Sequence, residues 1–283
     1  MKKSHIIVIC VVGGVIVFGL LIGFTMKAMR QNGFYGGQIG VIEVNNVIST
    51  SKYITEHIRD FSEDPSIKAI LLRIDSPGGG VAASQEIYEE LKKAKETKKI
   101  VASMGAVAAS GGYYIALPAD IIVANPGTIT GSIGVIMEFP VLKELLDKIG
   151  IEFEVVKSRE HKDIGSPFRR INKEERELLN DVIMDVYDQF ITATIEARGL
   201  ARDSVLKYAD GRIFTGRQAR DLGFIDTLGT FYDAVEIAGD LVGIDDPFLV
   251  YPRRPMSFID YLTEPVENLL IPSLQFRWRS SDL

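Results

Sequence analysis

The sequence predicts an α/β domain of repeated strand–helix units behind a single N-terminal membrane-spanning helix. Three observations predict it. Short apolar runs of strand length alternate with segments of helical periodicity through the middle of the chain. The 20 residues from Ile6 to Thr25, IIVICVVGGVIVFGLLIGFT, carry no charge. The 283 residues, 46% hydrophobic and 25% charged, suffice for one α/β domain of ordinary size and a short appendage.

The N-terminal element comes first. About 20 apolar residues is the length that crosses a bilayer as a helix. A cleaved signal peptide has a shorter apolar run, about 7–15 residues, and a small-x-small cleavage site. The run here is longer, and TMKAMRQ after it offers no A-x-A. Residues 1–30 are therefore expected to be an uncleaved anchor. Lys2 and Lys3 before the span and Lys27 and Arg30 after it leave its orientation nearly undetermined by charge. Residues 31–38, QNGFYGGQ, form a glycine-rich linker. Residues 39–250 are the main domain, and residues 251–283 a tail to which the sequence assigns no role.

Within the domain, Gly40–Val47 reads as a first strand, and YITEHIRD as a surface helix. Ile67–Ile74 is an apolar run ending in Asp75-Ser76-Pro77, as in a buried parallel strand. Val81–Lys98 follows as a helix with Ala83, Ile87, Leu91 and Ala94 on one stripe. Ile100–Met104 is a strand, Ser110–Leu117 a helix entered through small residues, Ile121–Ala124 a strand, and Glu152–Lys157 a later strand. A long helix spans Lys173–Arg198, with Asn172 and Glu175 spaced as a capping box and Gly199 placed to end it. Right-handed strand–helix–strand crossovers follow from this alternation.

Composition excludes some functions. A net charge of −6 argues against general nucleic-acid binding. The single cysteine, Cys10, lies in the apolar run, so no intrachain disulfide is possible, and the lack of any CxxC or Cys/His cluster argues against a structural zinc site.

Two segments carry candidate chemistry. Asp75-Ser76-Pro77-Gly78-Gly79-Gly80 closes a strand and opens a helix, where exposed amides can meet a developing negative charge. An ordinary tight turn would read the same way. Val107-Ala108-Ala109-Ser110-Gly111-Gly112-Tyr113-Tyr114 sets a serine among small residues at a helix start. It reads as a nucleophile that another backbone can approach closely, or as a plain N-cap. A serine nucleophile needs a base. His5 lies beside the span and His57 on the surface helix. His161 and Lys162 sit together in REHKDIGSPFR, and spacing alone leaves the choice between them open. Lysine serves when burial favours its neutral form.

DSPGGG, AVAASGGYY and HKDIGSPFR, with TGSIGV at Thr130–Val135 and GRIFTGRQARDLGFID at Gly211–Asp226, together resemble the signal peptide peptidase A family of bacterial membrane peptidases, in its short single-domain form. The resemblance runs from about Ile39 to Leu228. It implies a fold similar to Clp protease and the crotonases, built of repeated ββα units. It implies Ser110 as nucleophile and Lys162 as base, with Ser132 holding the lysine. Gly79, or Gly78 as the near alternative, and Gly111 would supply the oxyanion amides. His161 would point away, as a neighbour in extended chain does.

The resemblance further implies a serine peptidase with no cofactor or metal, acting on signal-peptide remnants and other apolar peptides. Its partners would be membrane lipid, through the anchor, and further copies of the chain in a ring, with serine and lysine from neighbouring subunits. The catalytic domain would lie outside the bacterial cytoplasmic membrane. A crotonase-like acyl-CoA enzyme and a non-catalytic membrane scaffold are the rival readings.

Overall fold

The computed structural model of the protein describes residues 18–19, 38–252 and 275–277. The predicted anchor and linker, apart from Phe18, Gly19 and Gln38, and most of the tail lie outside the described residues. Among the described residues no helix is long and apolar enough to cross a membrane.

Eight strands form one sheet. Its central path runs β7 (Ile213–Thr215), β6 (Ile129–Gly131), β4 (Lys99–Ala109), β2 (Ile67–Ser76), β1 (Gln38–Asn45) and β9 (Phe248–Val250). Off that path β5 (Ile121–Ala124) pairs with β4 and with β8 (Thr227–Leu228). Every pair in this sheet is parallel except β6 with β7. The helices are α1 (Lys52–Glu63), α2 (Val81–Ala94), α3 (Gly111–Ala116), α4 (Lys143–Ile149), α5 (Lys173–Arg198), α6 (Arg202–Leu206), α7 (Gly216–Asp221) and α8 (Phe231–Asp240).

A parallel sheet needs cover on both faces, and successive side chains of a strand serve opposite faces. Ile39 and Val41 of β1 with Ala69 and Leu71 of β2 pack against Ala234, Val235 and Ala238 of α8. Their alternates Ile42, Val44, Ile70, Leu72 and Ile74 belong to the larger core, with Ile58 of α1, Ile87 and Leu91 of α2, Tyr113 of α3 and Phe190 of α5. Burial of apolar side chains on both faces of β2 bears out the buried-strand reading of Ile67–Ile74.

The long helix forms as the caps predict. Asn172 and Glu175 complete a reciprocal capping box, and Gly199 ends the helix at φ 63°. Two expectations need correction. The helix from Val81 ends at Ala94 rather than Lys98, where backbone turns take over. Glu152–Lys157 is no strand: the segment has no regular structure, and Val156 is 96% exposed. Its alternating apolar residues have the strand period, but no strand of the same chain pairs with them among the described residues.

Among the elements not foreseen, one bears directly on the site. Gly78–Gly80 forms a short strand, β3, bridged to Ile48 on one edge and paired antiparallel on the other with β10 (Gln275–Arg277).

Candidate active site

The site grows from the carboxyl ends of β4 and β6. Ala109 and Gly131 are register partners on these parallel strands, and the next residues are Ser110 and Ser132. Ser110 N–H donates to Gly131 O at 2.8 Å. Both serines have positive φ, 54° and 51°. That region disfavours side chains, and such outliers cost on the order of 1–3 kcal/mol each. With ψ at −117°, Ser110 turns the chain sharply from strand into α3.

Ser110 is 1% exposed, and its Oγ is buried without a hydrogen-bond partner. It makes no side-chain cap on α3, which removes the N-cap reading. A buried hydroxyl without a partner carries a free-energy penalty, and in native structures it calls for an explanation. Ser132 N–H donates to Arg212 O at 2.8 Å, and its side chain is buried beside the same strand ends.

The glycines around Ser110 are required by approach distance. A Cβ on Gly111 would stand 2.7 Å from Ser84 Oγ and 3.2 Å from Gly79 N, and one on Gly112 would stand 2.5 Å from Ser76 O. The β3 backbone therefore lies directly against the start of α3. Behind it, Tyr113 Oη donates to Phe224 O at 2.9 Å, and the Tyr114 ring meets Phe190 edge-on at 5.0 Å. Burial pushes both phenols above their ordinary range, so they stay neutral packing groups.

β3 sorts its own amides. Gly78 N–H donates to Ser76 Oγ at 3.1 Å, and Gly80 N–H to Ile48 O at 2.8 Å. Consecutive residues of an extended strand present N–H and C=O to opposite edges. Gly79 therefore turns its N–H away from Ile48, to the edge where Phe276 is its register partner. Gly111 is the first residue of α3, where an N–H has no acceptor inside the helix.

Lys162 lies apart. It sits in a four-residue 3₁₀ turn, Glu160–Asp163, and is exposed. Its side chain makes no hydrogen bond or ion pair among the described residues, with Ser110, Ser132 or any other group. His161 belongs to the same turn rather than to extended chain, which corrects the expectation for its surroundings. Its Nδ1 is buried without a partner, and its Nε2 lies 3.8 Å from Glu174 Oε1. Asp163 faces Arg169 at 2.7 Å and Lys157 at 2.7 Å. These two cations hold the Asp163 carboxyl well below the usual carboxylate range.

The structure thus brings together Ser110, Ser132, Gly79 and Gly111, and leaves Lys162 outside that group. Sequence reasoning missed the strand character of Gly78–Gly80 and the pairing of residues 275–277 with it. A glycine run carries no strand signal, so no local pattern reveals either one.

Comparison with known proteins supplies the last observations. A model of the family described as Peptidase family S49 matches residues 92–245, and one described as Clp protease matches residues 39–127. The chain is 47% identical over 210 residues to the slr0021 protein of Synechocystis sp., covering 74% of this chain and 76% of that one. It is 36% identical over 239 residues to Protease 4 of Salmonella typhi, covering 81% of this chain but 38% of that one. It is also 36% identical over 222 residues to the chloroplastic serine protease SPPA of Arabidopsis thaliana, covering 73% of this chain and 33% of that one. The chain therefore spans well under half the length of these last two relatives.

Proposed function

Because the chain belongs to peptidase family S49, the signal peptide peptidase A family, with a Clp protease-like α/β fold and the activity of a serine peptidase, we propose that it cleaves apolar peptides with Ser110 as nucleophile and Lys162 as base. The observation that carries the reading is the turn at Ser110. A buried, unpartnered Oγ sits in a strained conformation beside the Gly111 amide, which has no acceptor inside α3, and the Gly79 amide, which faces the edge of β3 taken by residues 275–277. Tight strand-to-helix turns that present a nucleophile are strained in this way.

The chemistry follows from the groups. A peptide lies extended along the outer edge of β3, as the chain's own residues 275–277 do. Ser110 Oγ attacks the scissile carbonyl carbon while the neutral Lys162 amine takes its proton. Gly79 N–H and Gly111 N–H receive the oxyanion. Gly78 N–H is occupied by Ser76 Oγ, which favours Gly79 over its neighbour. The lysine returns the proton to the departing amine, and water then hydrolyses the acyl-enzyme by the same exchange. Ser132, at the adjoining strand end, hydrogen-bonds the lysine when it arrives.

The lysine comes from a second copy of the chain. Two features support this: Lys162 is exposed and unpaired, and an apolar surface precedes it. Leu142, Leu145, Ile149, Ile151, Phe153 and Val156 are each at least 41% exposed in the single chain. Exposed apolar patches of this kind mark interaction surfaces. Removing an amine from water favours its neutral form, the form a base requires.

The uncharged run Ile6–Thr25 tethers the enzyme to the bacterial cytoplasmic membrane, with the domain on the outer side, where signal-peptide remnants are the substrate class. The deciding experiment mixes inactive Ser110→Ala with inactive Lys162→Ala protein and follows cleavage of a synthetic signal peptide. Recovered activity supports a pair formed between copies. No recovery from a mixture shown to co-assemble places the pair within one chain. Full activity of Lys162→Ala alone removes the lysine from the mechanism.

A further inference from the structure

We propose that Arg169 is a positioning residue for the reaction, fixing the turn that presents Lys162; the inference rests on the reading of Lys162 as the base. The lysine makes no side-chain contact that would aim it, so its direction is set by the backbone of the Glu160–Asp163 turn. That turn is weakly held by its own bonds. Lys162 N–H donates to Arg159 O at 3.3 Å and Ile164 N–H to His161 O at 3.1 Å. Runs of 3₁₀ geometry have poor hydrogen bonds and need outside support. The chain just before, Glu152–Lys157, has no regular structure, and it holds the turn only through Lys157 at its end, whose Nζ donates to Glu160 O at 2.8 Å and Asp163 Oδ1 at 2.7 Å.

The support comes from the residue after the lysine. Arg169 Nε donates to Asp163 Oδ2 at 2.8 Å and Nη2 to Asp163 Oδ1 at 2.7 Å, a two-pronged clamp on the turn. The other side of the guanidinium donates to Glu175, from Nη1 to Oε2 at 2.8 Å and from Nη2 to Oε1. The remaining Nη1 hydrogen reaches Arg170 O at 3.3 Å. All five N–H donors of the arginine are thereby used.

Glu175 is a firm anchor. Its side chain is 1% exposed, and Oε2 also accepts from Asn172 N–H at 2.9 Å. It starts α5, whose Val186, Phe190 and Ile191 lie in the core. Arg169 therefore ties the lysine's turn to the rigid body of the domain through one planar fork.

Helix capping does not account for this arginine. The box between Asn172 and Glu175 is complete without it. What Arg169 adds is the link to Asp163, one residue from Lys162. A lysine at position 169 is a single-point cation and cannot reproduce a double clamp.

The test uses the full-length chain with a fluorogenic signal-peptide substrate, steady-state kinetics and thermal melts. Arg169→Gln should lower kcat about tenfold or more, as small misplacements of a catalytic group do, with KM within about twofold, since the serine side and β3 are untouched. Arg169→Lys should recover only part. Asp163→Asn cuts the same link from the other end and keeps the arginine on Glu175. Because it also frees Lys157 from Asp163 Oδ1, it should lower kcat at least as much as Arg169→Gln, and the double variant should be no worse than Asp163→Asn, in which the Arg169 link is already lost. Wild-type kcat in folded Arg169→Gln, a loss confined to KM, or multiplying losses in the double variant would each overturn the proposal. Asp163→Asn reads the same link if Arg169→Gln does not fold. The Lys162→Ala variant separates the two ideas. If it is active, the reading of the base fails; if it is dead while Arg169→Gln turns over normally, only the positioning role fails.

Discussion

The adjacent glycines of β3 offer a sharp comparison. A Cβ added at Gly79 would stand 2.2 Å from Ile48 O and 2.6 Å from Ile48 N, both backbone atoms that cannot swing aside. At Gly80 the nearest atoms are Ile48 O at 3.6 Å and Ala83 Cβ at 3.9 Å, ordinary contact. Gly79→Ala must push β3 away from Ile48 and stretch the bonds Ile48 N–H to Gly78 O, 2.9 Å, and Gly80 N–H to Ile48 O, 2.8 Å. Losing two such bonds costs about 2 kcal/mol, and overpacking adds about 1–3 kcal/mol. The sum of about 3–5 kcal/mol corresponds to a fall in Tm of roughly 6–20 °C for a domain of this size. The same shift removes Gly79 N–H from the oxyanion position, a loss of about 10²–10³ in kcat. Gly80→Ala should stay within about 1 kcal/mol, the scale of an N-cap change, and keep its activity. Melting curves and peptide cleavage well below Tm read both quantities. A folded Gly79→Ala enzyme with wild-type kcat refutes the oxyanion assignment. Equal damage from Gly80→Ala refutes the steric reasoning.

Three further outcomes are expected. Ser110→Gly should abolish cleavage yet raise stability by about 1 kcal/mol, because glycine tolerates φ 54° without strain; a melt with no stabilisation denies that the turn is strained. Arg169 lowers the Glu175 carboxyl to about 2 and depresses Asp163 as well. Their stabilisation is full above the ordinary carboxylate range, about 4, and disappears as pH falls through the depressed values. Between pH 5 and pH 2 wild type should therefore lose more stability than Arg169→Gln in matched melts; parallel losses contradict this. Deleting residues 275–283 should lower KM for added peptide, since residues 275–277 occupy the edge of β3 that the peptide needs, and an unchanged KM would place substrate elsewhere.

Much of the fold was legible because its signals are local. Ile67–Ile74 announces a strand buried on both faces, and the capping residues Asn172 and Glu175 with Gly199 bracket α5 at the residues observed. β3 was not legible, since three glycines form a strand only where Ile48 supplies one edge and residues 275–277 the other. α4 was missed because KELLDKI is short and none of its residues is buried, so it shows no core-facing stripe. Glu152–Lys157 shows the opposite failure. Its alternation has the strand period, but a period records what the side chains require and not whether a partner strand exists. At the site, the small residues around Ser110 pointed to close backbone approach, and the 2.5 Å from Gly112 to Ser76 O accounts for one of them. The positive φ of Ser110 and Ser132 had no local signal, because both are imposed by the ends of neighbouring strands.

The two halves of the proposed site differ in how they are held. Ser110 lies where β4, β6, α3 and β3 meet, flanked by the core residues Ala109 and Tyr113, so its geometry costs strain that the core can offset. Lys162 lies on a short turn that the core does not reach, between an apolar exposed stretch and the charged clamp of Arg169. A base built this way can be rigid in its own backbone while its amine stays in water until another surface covers it. Such an arrangement would keep the nucleophile inactive in a lone chain and complete it on assembly, because the contact that buries the apolar stretch would also dry the amine. The unpartnered hydroxyl of Ser110 fits this account, since its hydrogen-bond partner would arrive with the second copy.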